Sequence, residues 1–165
     1  MNKKLINERK KELITEYALE NRAIAVGKKL SSICIFTVLI LRCALSVFQT
    51  VFFSLEYPGL HIWIPLTVLP LLLILKFIYE GGKGFAYITL IDSVIFMVIH
   101  FSLIYHTASD TLIKEIYTNI FIFIMTVQFA SSMLILFNQR CDAYFTAKQR
   151  INIKIHGENM LKNRH

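Results

Sequence analysis

The sequence predicts an all-α, polytopic membrane protein: a four-helix transmembrane bundle with an amphipathic N-terminal cytoplasmic helix. Three observations predict it. Of 165 residues 55% are hydrophobic, that surplus is gathered into four long uninterrupted runs, and Lys and Arg cluster on alternate sides of those runs. A soluble chain of this size keeps too large a surface to bury so much apolar material, whereas hydrocarbon accepts it without needing a core.

The four runs are Leu30–Leu55, Ile62–Tyr79, Phe85–Tyr105 and Leu112–Phe137. At 1.5 Å per residue even the shortest spans roughly 27 Å, close to the thickness of a hydrocarbon layer. Ile, Val, Phe and Thr are abundant, but a lipid-facing sheet must close into a barrel whose strands alternate apolar and polar residues. These runs do not alternate, so helices are expected. Residues 1–29 are rich in charge and the first run is longer than a signal peptide's apolar region, so no secretory signal is read.

Counting cations orients the spans. Lys3, Lys4, Arg9, Lys10, Lys11, Arg22, Lys28 and Lys29 precede the first run, Lys76 and Lys83 flank the second loop, and Arg140, Lys148, Arg150, Lys154, Lys162 and Arg164 follow the fourth. The first loop has no Lys or Arg and the third has only Lys114. The positive-inside rule therefore places both termini and the Glu80–Gly84 loop in the cytoplasm, with the cell (inner) membrane as the location. Glu56-Tyr57-Pro58-Gly59 has turn chemistry, Gly81 and Gly82 suit a left-handed helix cap, and Thr107–Asp110 is a short polar link. Short loops make sequential helices antiparallel neighbours. The Lys- and Ile-rich usage matches an AT-rich bacterial genome.

Beyond the runs, three units are expected: a cytoplasmic N-terminal segment over 1–29, the transmembrane domain over 30–137, and a cytoplasmic C-terminal tail over 138–165. In the first, Glu8, Glu12, Glu16 and Glu20 recur every four residues, while Ile6, Leu13, Tyr17 and Ile24 share another face. The helix is expected to run from Asn2 to about Ala25. In the tail Ile151, Ile153 and Ile155 alternate, and helix, strand and disorder all remain open.

Within the runs the polar residues carry the information. Arg42 lies roughly 18 Å from the cytoplasmic end, Asp92 roughly 10 Å and Gln128 roughly 13 Å, and a lipid-facing Arg at such depth costs at least about 2.5 to 3.5 kcal/mol. An Arg42 to Asp92 ion pair with Gln128 beside it satisfies all three. Gln49 and Ser46 follow Arg42 on one face, Thr89 and Ser93 flank Asp92, and Thr126 and Ala130 flank Gln128, where small residues four apart let helices approach closely. His100 is expected as a neutral imidazole bonded to a neighbouring helix, with Gln49 a candidate partner, or as a proton relay. Such a layer either fixes the packing or forms an ion or proton pathway.

Other chemistry finds little support. Cys34 and Cys43 fall inside the first run and Cys141 beyond the last, an arrangement of reduced thiols rather than a disulfide scaffold. Glu56, His61, His106 and Asp110 lack metal-ligand spacing. Cys141 and His156 are not placed as a nucleophile and base, the Gly81–Gly84 loop lacks the context of a phosphate cradle, and no carboxylates pair inside a run. Neither an enzyme, nor a cofactor, nor a metal, nor a nucleic-acid partner is expected.

Two function classes remain. The first is an oligomeric membrane subunit for signalling or defence that recruits a cytosolic protein or anionic headgroups through Glu8, Glu12, Glu16, Glu20, Lys28, Lys29, Arg140, Lys148 and Arg150. The second is a small transporter or channel with a path lined by Arg42, Gln49, Asp92, His100 and Gln128.

Overall fold

The computed structural model describes residues 3–56, 64–106 and 112–162, with side chains described within 6–50, 68–99 and 115–157. Among these residues the chain is all helix: α1 Lys3–Glu20, α2 Arg22–Glu56, α3 Ile64–Glu80, α4 Phe85–His106, α5 Leu112–Phe137 and α6 Gln139–Lys162. Arg22–Thr50 and Glu115–Phe137 are each long and apolar enough to cross a membrane, and Phe85–Ile99 is a shorter apolar stretch.

Local chemistry sets the breaks. Asn21 ends α1 and caps α2, its Oδ1 accepting the Ala23 amide at 2.9 Å. Asn138 does the same between α5 and α6, accepting from the Arg140 amide at 2.9 Å. An Asn side chain at this position satisfies amides that the first helical turn leaves without carbonyl partners. At the end of α3, Gly81 takes a positive φ of 117°. Its amide donates to the Ile78 carbonyl at 3.0 Å and the Gly82 amide to Phe77 at 2.9 Å, the paired bonds of a Schellman cap.

Four helices close a ring: α2 packs on α3, α3 on α4, α4 on α5, and α5 back on α2. Along α2 and its neighbours, Gly27 meets Arg140, Arg42 meets Met125, and Gln49 meets Tyr117, so α2 runs antiparallel to α5 and its continuation. One apolar cluster joins Ile35 and Val38 of α2, Leu71, Leu75 and Ile78 of α3, and Ile135 and Leu136 of α5. A second, further along the ring, joins Leu45 to Phe121, Ile124 and Met125.

Beneath the ring lies a basal layer of α1, α6 and the first turns of α2. Residues 22–29 begin α2, so the expected N-terminal helix stops at Glu20 rather than near residue 25. Its buried side is formed by Leu13 with Ile6, Ile14 and Ala18 packed alongside, whereas Tyr17 is exposed and Ile24 belongs to α2. The C-terminal segment, open between three states on sequence, is a helix. Cys141, Tyr144, Phe145, Ala147, Ile151 and Ile155 are buried at helical spacing, and Ile153, which made the pattern look alternating, is 73% exposed.

This layer is joined to the ring at a backbone crossing. A Cβ placed on Gly27 would sit 1.8 Å from the Arg140 carbonyl oxygen, so only hydrogen fits between α2 and the start of α6. Overpacking of this kind costs about 1 to 3 kcal/mol. Gly27→Ala is therefore expected to lower unfolding stability in detergent by that amount, measured against Gly157→Ala, whose added methyl meets nothing within 4 Å and leaves stability unchanged or slightly raised.

Candidate functional site

Between the two apolar clusters of the ring lies a polar centre contributed by three helices. Arg42 of α2 reaches across the ring to α4, its Nη2 3.2 Å from Asp92 Oδ2. Gln128 of α5 donates its Nε2 to the same oxygen at 2.8 Å and to the Thr89 carbonyl at 2.9 Å. The structure thus brings Arg42, Asp92 and Gln128 together on one carboxylate oxygen. Arg42 Nη1 also points at Met125 Sδ, 3.6 Å away, and the guanidinium lies 5.0 Å from the centre of the Phe96 ring. A cation over an aromatic face gains electrostatic stabilisation when water is excluded.

Hydroxyls extend the centre along the α4–α5 seam. Thr89 Oγ1 and Ser132 Oγ are 2.7 Å apart, and Ser132 donates to the Gln128 carbonyl at 2.9 Å. Ser93 is buried and donates to Leu90. Thr126 and Ala130, expected at a close helix approach, instead face outward on α5, and Thr126 satisfies itself on the Ile122 carbonyl. The buried small residues of this seam are Thr89 and Ser93 on α4, the pair that the sequence places beside Asp92, and on α5 Ser132 in place of Thr126 and Ala130.

Gln49 is not part of the centre. Its Nε2 donates to Tyr117 Oη at 2.8 Å, and Tyr117 stacks on Phe48. The His100 side chain lies outside those described, as do Glu56, His61, His106 and Asp110. Among the described residues no group of three His, Cys, Asp or Glu side chains could hold a metal ion, and Cys34, Cys43 and Cys141 are free thiols.

The residues grouped as partner-facing divide. Glu8, Glu12, Glu16 and Glu20 are exposed along α1, as are Lys29, Arg140 and Arg150 on α2 and α6, and Lys28 is half-buried. Lys148 differs from them: its ammonium turns inward onto the Tyr79 carbonyl at the end of α3 and onto Tyr144 Oη at 3.1 Å, between the two tyrosine rings. A helix C-terminus carries partial negative charge, which draws a cation to it. Beside it Lys83 of the α3–α4 turn pairs with Asp142 of α6 at 2.5 Å. These two clasps fasten α6 to the turn, and sequence reading missed both because they join segments far apart in the chain.

Burial shifts the ionisable groups of this clasp. It lowers the Lys148 ammonium to about 8, with Glu80 opposing and Lys10 and Lys28 reinforcing the shift. Burial raises the Cys141 thiol to about 11 and the Tyr144 phenol to about 12. Across protein families, curated proteins and solved structures, the chain matches none, so the site stands on its own geometry.

Two outcomes follow from these contacts. Arg42→Gln strands Asp92 and Gln128 and is expected to cost about 3 kcal/mol in denaturant unfolding, a loss that Asp92→Asn in addition partly restores. Equal instability of single and double variants would show that the two side chains are not coupled. For Lys148, the unfolded chain holds the proton up to about pH 10.5 and the folded chain only to about 8, so stability rises with pH above 8. Above about 9 the unfolded Cys141 ionises while the folded thiol does not, which cancels the Lys148 gain, and above about 10 the buried Tyr144 phenol adds a second loss so that stability falls. The gain is thus confined to pH 8–9, and thermal unfolding of Lys148→Met is expected to lack it.

Proposed function

We infer that the chain is a four-span membrane protein, its spans near 30–55, 62–79, 85–105 and 112–137, whose basal layer faces the cytoplasm and docks a cytosolic protein. The observation that carries this reading is an inverted side-chain distribution. Arg42 is 7% exposed inside the ring, while Ile40, Val47 and Phe123 on its outside are 64%, 66% and 61% exposed. The outer faces of α3 and α4 continue the pattern with Leu69, Leu73, Phe77, Ile91, Ile95 and Val98. An apolar belt this continuous is a surface for lipid or for another protein, not for water. Less than half of the most apolar stretch of each long helix is buried, where the core helix of a soluble protein is mostly buried.

Charge supports the orientation and the recruiting role. The basal layer and the Gly81–Gly84 turn hold Lys29, Lys83, Arg140 and Arg150, the side that the positive-inside rule makes cytoplasmic. The exposed glutamates of α1, of which Glu12 pairs with Arg9 at 3.6 Å, add acidic groups to this layer that suit contact with a cationic protein surface. We place the chain as an oligomeric signalling or defence subunit of the inner membrane on that basis. The competing path through Arg42, Asp92, His100 and Gln128 is less well supported, because Arg42 is neutralised by Asp92 and walled by Met125 and Phe96.

Cysteines introduced at Glu16 and Arg150 are expected to react with an impermeant maleimide only after cells are opened. Modification in intact cells would overturn the topology. Separately, Glu12→Lys with Glu16→Lys is expected to remove proteins that co-purify in mild detergent without lowering the amount of chain in the membrane fraction, and an unchanged set would remove the recruiting role.

A further inference from the structure

Away from the polar centre, one groove gathers polar side chains that no contact described so far uses. It runs between α1 and α6 in the basal layer, has a volume of about 550 Å³, and is lined by Ile6, Lys10, Asn152, Ile153, Ile155 and His156. That volume lies within the roughly 300 to 1,000 Å³ of ordinary ligand sites. Ile155 is buried and Ile6 packs beside it on Leu13, so the floor is apolar. Lys10 and Asn152 are half-buried and His156 is exposed. None of these three side chains has a hydrogen-bond or ion-pair partner among the described residues.

Charge and position decide what the groove takes. Among the described residues no acid lines it, and an ammonium, an amide and an imidazole supply donors suited to the oxygens of an anion. Burial is the main cause that lowers the nearby Lys148 ammonium, and Lys10 is close enough for its charge to add to the effect. One end of the groove meets the α3–α4 turn: a Cβ on Gly81 would lie 3.7 Å from Asn152 Nδ2 and 3.4 Å from the Lys148 stem. The site rests on the four-span reading above, in which that turn joins two spans at the level of the cytoplasmic headgroups. Ile153, 73% exposed at the rim, calls for an apolar neighbour that a soluble anion does not bring. We propose that the α1–α6 groove binds the phosphate of an anionic phospholipid of the inner leaflet through Lys10, Asn152 and His156, with Ile153 against its glycerol and upper acyl chain.

The test is amine acetylation of the full-length chain in phosphatidylcholine nanodiscs with and without phosphatidylglycerol, read by mass spectrometry as the rate at Lys10 relative to Lys11, its exposed neighbour outside the groove. Phosphatidylglycerol is expected to slow Lys10 several-fold and Lys11 little. Asn152→Ala with His156→Ala keeps Lys10 and is expected to abolish that protection, while the comparison of the two lysines in the unaltered chain needs no variant to fold. Equal slowing of both lysines would reveal general attraction to the surface, and protection surviving in the folded double variant would mean that other groups hold the lipid; either overturns the site. Inorganic phosphate added to phosphatidylcholine nanodiscs is expected to protect neither lysine, and protection of Lys10 equal to that from lipid would overturn the lipid in favour of a free phosphate. The maleimide labelling above reports topology independently, so shielded tails with an unprotected Lys10 would remove the site and leave the topology standing.

Discussion

A guanidinium held within an apolar ring is the constraint around which the rest is arranged. An isolated buried cation is intolerable in a medium of low polarity, so its neighbours must supply charge, hydrogen bonds and polarisable surface together. Asp92 supplies the charge, Gln128 divides the carboxylate with it, and Met125 and Phe96 supply the soft walls. Those residues come from α4 and α5, which fixes how both sit against α2. Among its described side chains the fourth wall, α3, buries Leu71, Leu75 and Ile78, packs Ile74 alongside, and shows Leu69, Leu73 and Phe77 outside. The polar level between two apolar clusters also sets axial register, because sliding α2 or α4 by a turn would strand a charge and sliding α5 would strand the Gln128 amide.

Much of this was legible in the sequence. The helical runs were visible because apolar stretches of that length have few other uses, and Arg42, Asp92 and Gln128 fell at similar depths once the runs were threaded back and forth. The Gly81 cap was equally readable, since a positive φ has few other tenants. Less legible were partners fixed by rotation rather than depth. Gln49 pairs with Tyr117, although placing Arg42 level with Gln128 puts Gln49 near Phe121, one turn from Tyr117. Thr126 and Ala130 had the right spacing but the wrong face, which periodicity alone does not reveal.

The basal layer shows a different limit. Asn138 before Arg140, with Asp142 in the following turn, is a helix-start signal, yet Ile151, Ile153 and Ile155 obscured it by alternating. Only the packing of Ile151 and Ile155 on Leu13 distinguishes helix from strand there. Lys148 was grouped with its exposed neighbours because Tyr79 is reached only after α6 folds back beneath α3, even though Tyr144 lies one turn away on α6 itself. Local sequence carries a residue's charge but not the direction in which folding turns it.

One feature of α2 joins the two layers mechanically. The helix is unbroken from Arg22 to Glu56, whereas the neighbouring chain breaks at Asn138 and the preceding one at Asn21. From Arg42 to Gly27 is roughly 22 Å of continuous α-helix. The backbone contact at Gly27 leaves no slack with which to absorb a change in tilt. A small rotation of α2 about the Arg42 level would therefore arrive at Arg140 undiminished, as a sideways push on α6, much as a rigid rod pivoted near its middle carries movement from one end to the other.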